Sequence, residues 1–215
     1  ADWDMSGRLE DTPYHDSEMN KLLNKRAERP SRSDGDALKA MASADKVFEK
    51  TYEAPFLPHN TMEPMNFFAD VTGDKVKLVG PIQTPAGTRG QIARLLGKSP
   101  DDITLEMTRM GGGFGRRLYG DFALEAAEIS QKANKPVQVI FSREDDMTAG
   151  TYRPASKYKF RAAIKDGKLT GYHLSGAGIG RNNWVRPDWF PAGGIENYLI
   201  ESSYVDSNIT TGAWR

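Results

Sequence analysis

The sequence predicts an α+β fold, a mixed or antiparallel sheet with helices packed on it, on three grounds. Two pairs of apolar, strand-like runs are each joined by a short turn-forming segment: 66–71 and 75–79 around Thr72-Gly73-Asp74, and 158–164 and 169–174 around Lys165-Asp166-Gly167-Lys168. Two further segments, 84–96 and 119–132, space their apolar residues as amphipathic helices do. Strands and helices therefore interleave, but two hairpins are incompatible with an all-parallel sheet.

Taken in order, residues 1–45 are polar and charge-mixed. A short helix over 14–27 puts Met19, Leu22 and Leu23 on one face, and Arg29-Pro30-Ser31-Arg32-Ser33 ends it. We expect 1–33 to be an extended arm continuing from a preceding domain, since it cannot bury a core by itself. A separate domain is expected over 34–215, with 46–175 as its compact unit. Ser33-Asp34-Gly35-Asp36 reads as a turn and cap before a helix over 37–44. The run 47–52 is β-branched and aromatic, 103–107 alternates as a strand, and 137–141 is a short buried-type strand. Gly97 is placed to end the helix over 84–96.

Composition excludes several functions. The chain has 29 basic and 29 acidic residues among 215, which argues against a nucleic-acid footprint or a polybasic membrane surface. With no cysteine, disulfides, iron–sulfur clusters, Cys-ligated zinc and cysteine nucleophiles are all absent. No apolar run approaches the ~20 residues of a membrane span, and the acidic start Ala1-Asp2-Trp3-Asp4 does not read as a signal peptide.

The sharpest local feature is Gly111-Gly112-Gly113-Phe114-Gly115-Arg116-Arg117, between an expected strand and the strongest helix. Glycines at this density leave backbone N–H groups open to a ligand. The following helix end and the two arginines add positive charge. The alternative is a tight structural turn. The nucleotide-binding glycine patterns fail, because Arg116 stands where the dinucleotide motif needs glycine and no Gly-Lys-Ser/Thr closes the loop. His59 and Glu63 have i, i+4 spacing, but Pro58 and Pro64 bracket them, so a partly buried, satisfied histidine is expected rather than a metal pair. Arg143-Glu144-Asp145-Asp146 reads as a solvated turn with ion pairs.

Taken together, His59 to Pro64, Pro81-Ile82-Gln83-Thr84-Pro85, Met110 to Arg117, Asp121 to Ser130, Ser142 to Asp146 and Tyr152-Arg153-Pro154 resemble, in order and spacing, the molybdopterin-binding large subunit of the xanthine dehydrogenase/aldehyde oxidase superfamily. The branch most resembled is the bacterial isoquinoline oxidoreductase beta subunit, over about 34–215. The resemblance implies a fold of the molybdenum cofactor-binding type. It implies an oxidoreductase that hydroxylates an N-heterocycle or aldehyde with water as the oxygen source. The cofactor it implies is molybdopterin, in the cytosine dinucleotide form, and the partner is a small iron–sulfur subunit. No protein side chain need ligate the metal, which suits a chain without cysteine.

Residue by residue, Gln83 matches the family glutamine that hydrogen-bonds an oxygen on molybdenum. Phe114 and Gly115 match residues whose backbone N–H groups approach the metal site, with Gly112 and Gly113 permitting that approach. Arg215 matches an arginine near the pocket. Leu118 stands where purine-oxidising relatives carry glutamate, which disfavours a purine substrate. The family's base, a late glutamate, has no counterpart here. The chain is therefore expected to be a central piece of a larger subunit, inactive and cofactor-free alone. Two rival readings are a non-enzymatic anion- or nucleotide-binding module built on Gly111–Gly115, and a structural or interaction module that docks through the N-terminal arm.

Overall fold

The computed structural model describes residues 2, 6, 7, 9–181, 185–189 and 191–214. These form two compact units. One combines residues up to 57 with Pro154–Thr211, and the other combines Pro58–Arg153 with 212–214.

The first unit is a five-stranded sheet ordered β1-β9-β8-β7-β2. Its strands are β1 (Arg32–Asp34), β2 (Lys46–Ala54), β7 (Ser156–Lys165), β8 (Lys168–Ile179) and β9 (Asn197–Val205). β7 and β8 form the second expected hairpin. Asp166 and Gly167 both have positive φ, 50° and 71°, as a two-residue type I′ turn requires. β8 and β9 run parallel; every other pair in this sheet is antiparallel. Helices α1 (Thr12–Leu23) and α2 (Ala37–Ala42) both pack on this sheet.

Over its described residues the expected arm is not simply extended. Asp11 caps α1 by accepting from Tyr14 N at 2.8 Å. Met19, 5% exposed, packs into a core with Ala155, Ala177, Ile179 and Val205. Residues 32–34 pair with 198–200 as β1, so the expected turn and cap is confined to Gly35, at φ 56°, and Asp36, which accepts from Lys39 N at 2.9 Å. The polar composition misled because the partners lie far away in sequence. Lys157 Nζ reaches Asp16 at 2.5 Å, and Arg26 Nε reaches Glu201 at 2.7 Å. Compactness thus divides the chain at 57/58 and 153/154, not at residue 33.

The second unit is a four-stranded sheet ordered β5-β4-β3-β6. Its strands are β3 (Asn66–Asp70), β4 (Val76–Gly80), β5 (Ile103–Met107) and β6 (Val137–Ile140). The first expected hairpin, β3–β4, is present and antiparallel. α3 (Pro85–Leu96) then crosses over, so that β5 lies parallel to β4. Gly97, at φ 65°, ends α3. α4 (Asp121–Ala133) lays Phe122, Ala123, Ala126 and Ala127 on Phe67 and Leu78, all fully buried. The two hairpins lie in different sheets, so 46–175 is not one unit: each hairpin buries its apolar face with its own helices. The α+β class with mixed sheets stands. The acidic run after Ser142 is a helix, α5 (Arg143–Thr148), rather than a solvated turn. Ser142 and Asp145 form a reciprocal capping box, and Asp146 is buried, accepting from Met65 N and Arg143.

If α1 belongs to the core, Met19→Ala should destabilise the first unit by about 2–5 kcal/mol. Urea unfolding followed by circular dichroism measures this, and an unchanged midpoint would place α1 off the sheet.

Candidate functional site

Two loops meet at the C-terminal ends of the parallel strands β4 and β5, where open α/β sheets bind ligands. The β4–α3 loop carries Gln83 and the loop after β5 carries Gly111–Gly115. Ile82, fully buried, anchors the first loop. The hydroxyl of Thr84 does not cap α3; it donates to Leu118 O at 2.7 Å. Gln83 N donates to Arg117 O at 3.0 Å. The Gln83 carboxamide oxygen then accepts from both Gly115 N and Arg117 N, each at 3.2 Å. Its acceptor end is thereby committed to the glycine loop, which leaves Nε2 as the donor end of the amide.

The glycines are used individually. A Cβ on Gly113 would lie 2.7 Å from Gln83 Oε1, and one on Gly111 would lie 2.4 Å from Glu63 Cβ. Gly112 and Gly115 adopt φ of 105° and 94°. Phe114 is left-handed at φ 49°, rare for an aromatic residue, and its ring is half exposed and folds back over Gly112. The structure therefore brings Gln83, Gly112, Gly113, Phe114 and Gly115 into one site. Arg215 lies outside the described residues.

The Gly115 N–H points at Gln83 rather than outward. The two arginines do not offer their charge to a ligand either. Arg116, 2% exposed, forms a two-pronged pair with Asp121 at 2.5 and 2.7 Å. Arg117 has no exposure at all. It donates to Gly112 O (2.8 Å), Pro81 O (3.4 Å), Glu63 O (2.9 Å) and Glu63 Oε2 (3.1 Å). Burial lowers its pKa, while the charge of Glu63 opposes that shift. The positive charge on which a simple anion-binding loop would depend is consumed internally.

Sequence reasoning missed Glu63 as the loop's anchor. It accepts from Gly111 N at 2.6 Å, from Asn66 at 2.9 Å and from Arg117. Burial opposes its ionisation, but these donors outweigh burial and hold the carboxyl below its usual range. A separation of 48 positions between Glu63 and Gly111 leaves no spacing signal. His59 is buried, as expected, but only half satisfied: Nε2 lies 2.7 Å from Ala213 O, while the buried Nδ1 makes no hydrogen bond of good geometry among the described residues. Its pKa is lowered by burial and then by Arg116. No group of three His, Cys, Asp or Glu able to hold a metal occurs among the described residues.

A βαβ edge thus carries a glycine loop clamped to a glutamine, with no cluster of side-chain metal ligands among the described residues. The molybdopterin cofactor-binding domain matches residues 15–178, and the chain belongs to that family. Isoquinoline 1-oxidoreductase subunit beta from Brevundimonas diminuta is 37% identical over 146 residues, covering 66% of this chain and 18% of that protein. The aldehyde oxidoreductase molybdenum-binding subunit PaoC from Escherichia coli (strain K12) is 30% identical over 187 residues, covering 85% of this chain and 24% of that protein. The crystal structure of quinoline 2-oxidoreductase from Pseudomonas putida 86 has the same fold, with a TM-score of 0.70 at 20% identity over 87% of this chain and 26% of that one. The chain thus spans about a fifth to a quarter of the length of these relatives. No described helix is long and apolar enough to cross a membrane.

The depressed pKa of Glu63 fixes the sign of an acid effect. The folded state holds the carboxylate ionised more firmly than the unfolded chain does. Its contribution is therefore complete above the ordinary value of 4.5 and is lost as pH falls through the lower, folded-state value. Glu63→Gln should flatten stability against pH in that acid range. Urea midpoints across the range measure this, and an unchanged acid slope would remove Glu63 as the anchor.

Proposed function

We propose that this chain forms one wall of the cofactor site of a molybdenum hydroxylase that oxidises an N-heterocycle or an aldehyde with water as the oxygen source. The observation that carries this reading is the Gln83 carboxamide, locked by Gly115 N and Arg117 N with its donor end left over, against a Gly113 that has no room for a side chain. When bound, molybdopterin supplies a metal centre able to take an electron pair from the substrate. The residues present fit such a group. The site offers a neutral donor and a backbone cradle, and the described residues hold no metal-ligand cluster that would compete with a metal carried on its own organic ligand.

In this reading Gln83 Nε2 donates to an acceptor atom at the cofactor's reactive end without adding charge. Gly112 and Gly113 let the backbone come close, and the exposed Phe114 contributes its N–H and its ring. Arg215, outside the described residues, is the remaining cofactor-binding residue of this reading. The cofactor is the cytosine dinucleotide form, and electrons leave through a small iron–sulfur partner subunit. Relatives named for isoquinoline and aldehyde oxidation support an aromatic heterocycle or aldehyde as substrate, and Leu118 in place of a charged residue agrees with that class.

A general base must also be supplied. The carboxylates around the site are already committed: Glu63 to Gly111, Asn66 and Arg117, Asp121 to Arg116, and Asp146 to Met65 N and Arg143. The base therefore comes from outside these residues, and the 215-residue chain alone is inactive and does not retain the cofactor.

In the holoenzyme, Gln83→Ala should cost about 3 kcal/mol of transition-state stabilisation, or ~100-fold in kcat, with molybdenum content preserved. Gly113→Val should instead lose the molybdenum, because its side chain displaces the Gln83 carboxamide. Steady-state kinetics with an artificial electron acceptor and metal analysis of the same samples distinguish the two. Wild-type turnover in the first variant, or full metal loading in the second, would contradict the proposal.

A further inference from the structure

β2 is the outer strand of the five-stranded sheet, and nothing among the described residues pairs with its free side. It is nine residues long, and all but the last are exposed, including Val47, Phe48 and Tyr52. Its register with β7 runs unbroken from Lys46↔Ile164 to Ala54↔Ser156. It contains no proline and no bulge. A long, regular, partly apolar edge of this kind is a template for another strand, and proteins that leave such an edge free usually blunt it.

The sheet face beside this edge is aromatic. Phe48, Lys50 and Tyr52 lie opposite Ala162, Phe160 and Tyr158, and Ala162 lies opposite Tyr172. Together they line an open cleft of about 470 Å³. Tyr52 meets Phe160 edge-on at 5.4 Å, and Phe160 meets Tyr172 at 6.3 Å. Along β2 this face reads Lys46, Phe48, Lys50, Tyr52, alternating cation and aromatic. Lys46 lies over the Phe48 ring at 4.4 Å, and neither lysine has an anionic partner among the described residues.

We propose that β2 is a docking edge that takes up an extended segment of a partner polypeptide by strand addition. The incoming segment carries, on the face that covers the aromatic cleft, apolar residues alternating with acidic ones. Main-chain pairing supplies the affinity, and the side chains opposite β2 supply the selection. Apolar side chains opposite Phe48 and Tyr52 extend the cleft, and carboxylates opposite Lys46 and Lys50 neutralise them.

A second copy of this chain does not fit the same edge. Antiparallel self-pairing must keep like faces together, so only every second register is available. The register centred on Lys50 sets Lys50 against Lys50. The two next to it set Glu49 against Glu49 and Glu49 against Glu53. Each of these central registers places like charges directly opposite.

The test is an NMR titration of the isotope-labelled chain with the nine-residue peptide acetyl-Thr-Phe-Thr-Glu-Thr-Val-Thr-Glu-Thr-amide. A second peptide with both glutamates replaced by lysine serves as the contrast. The first peptide should shift the β2 amides and slow exchange of those on its free side. The lysine peptide should bind at least about tenfold more weakly. Lys50→Glu, at an exposed position, should narrow or reverse that preference while leaving the circular dichroism spectrum unchanged. Four outcomes would overturn the proposal. They are no binding of either peptide at millimolar concentration, binding indifferent to peptide charge, shifts confined to other parts of the chain, or sedimentation showing the chain dimerised through β2.

Discussion

A guanidinium with no access to solvent must find partners for its N–H groups within the protein, and Arg117 finds them on three separate stretches of chain. It donates to Pro81 O just before Gln83, to Gly112 O inside the glycine loop, and to both the carbonyl and the carboxylate of Glu63. Leaving any of these unmet would strand buried polar groups, so the three stretches hold together or fail together. The shape of the site follows from this constraint. Gly111 lacks a side chain because Glu63 stands against it, and Gly113 lacks one because Gln83 does. The carboxamide of Gln83 presents its oxygen to the loop because two backbone N–H groups converge there.

The same constraint accounts for the unusual backbone. Phe114 occupies the left-handed region, which an aromatic residue adopts only when its surroundings impose it. On one side Arg116 N is bonded to Gly113 O at 2.8 Å, and on the other the Gly115 N–H is held by Gln83. Arg116 turns inward to Asp121, beneath a Gly150 whose Cβ would collide with the guanidinium. A loop that looks basic in sequence therefore presents a mainly neutral surface, suited to a group recognised by hydrogen bonds rather than by net charge.

Much of the second unit was legible in the sequence. The β3–β4 hairpin, α3 with its Gly97 stop, β5 and α4 have local signals: turn residues, helical spacing and a glycine at the right end. The grouping of Gln83 with the glycine loop was legible only through resemblance. The 26 residues between Gln83 and Met110 contain an entire helix and strand, and no spacing rule spans them. What escaped notice depended on long-range pairing. Glu63 anchors a loop 48 residues away, and the N-terminal arm folds because Arg26 and its neighbours meet a strand 175 residues later. β1 has no visible signal because three residues carry too little pattern, and its pairing with β9 depends on tertiary packing. In β2 the apolar pattern correctly indicated a strand but could not show that the strand would lie exposed at a sheet edge.

The buried Arg117 fork, not glycine content alone, sets the conformation of the glycine loop. The most direct measurement is amide hydrogen exchange at Gly115 in Arg117→Lys, which keeps the charge but cannot reproduce the planar set of donors. Exchange at Gly115 should be at least about fivefold faster, with the amides of β3 and β4 unaffected, because a lost buried donor is worth about 1 kcal/mol or more. Unchanged protection at Gly115 would contradict it and show that the loop holds its shape without the fork.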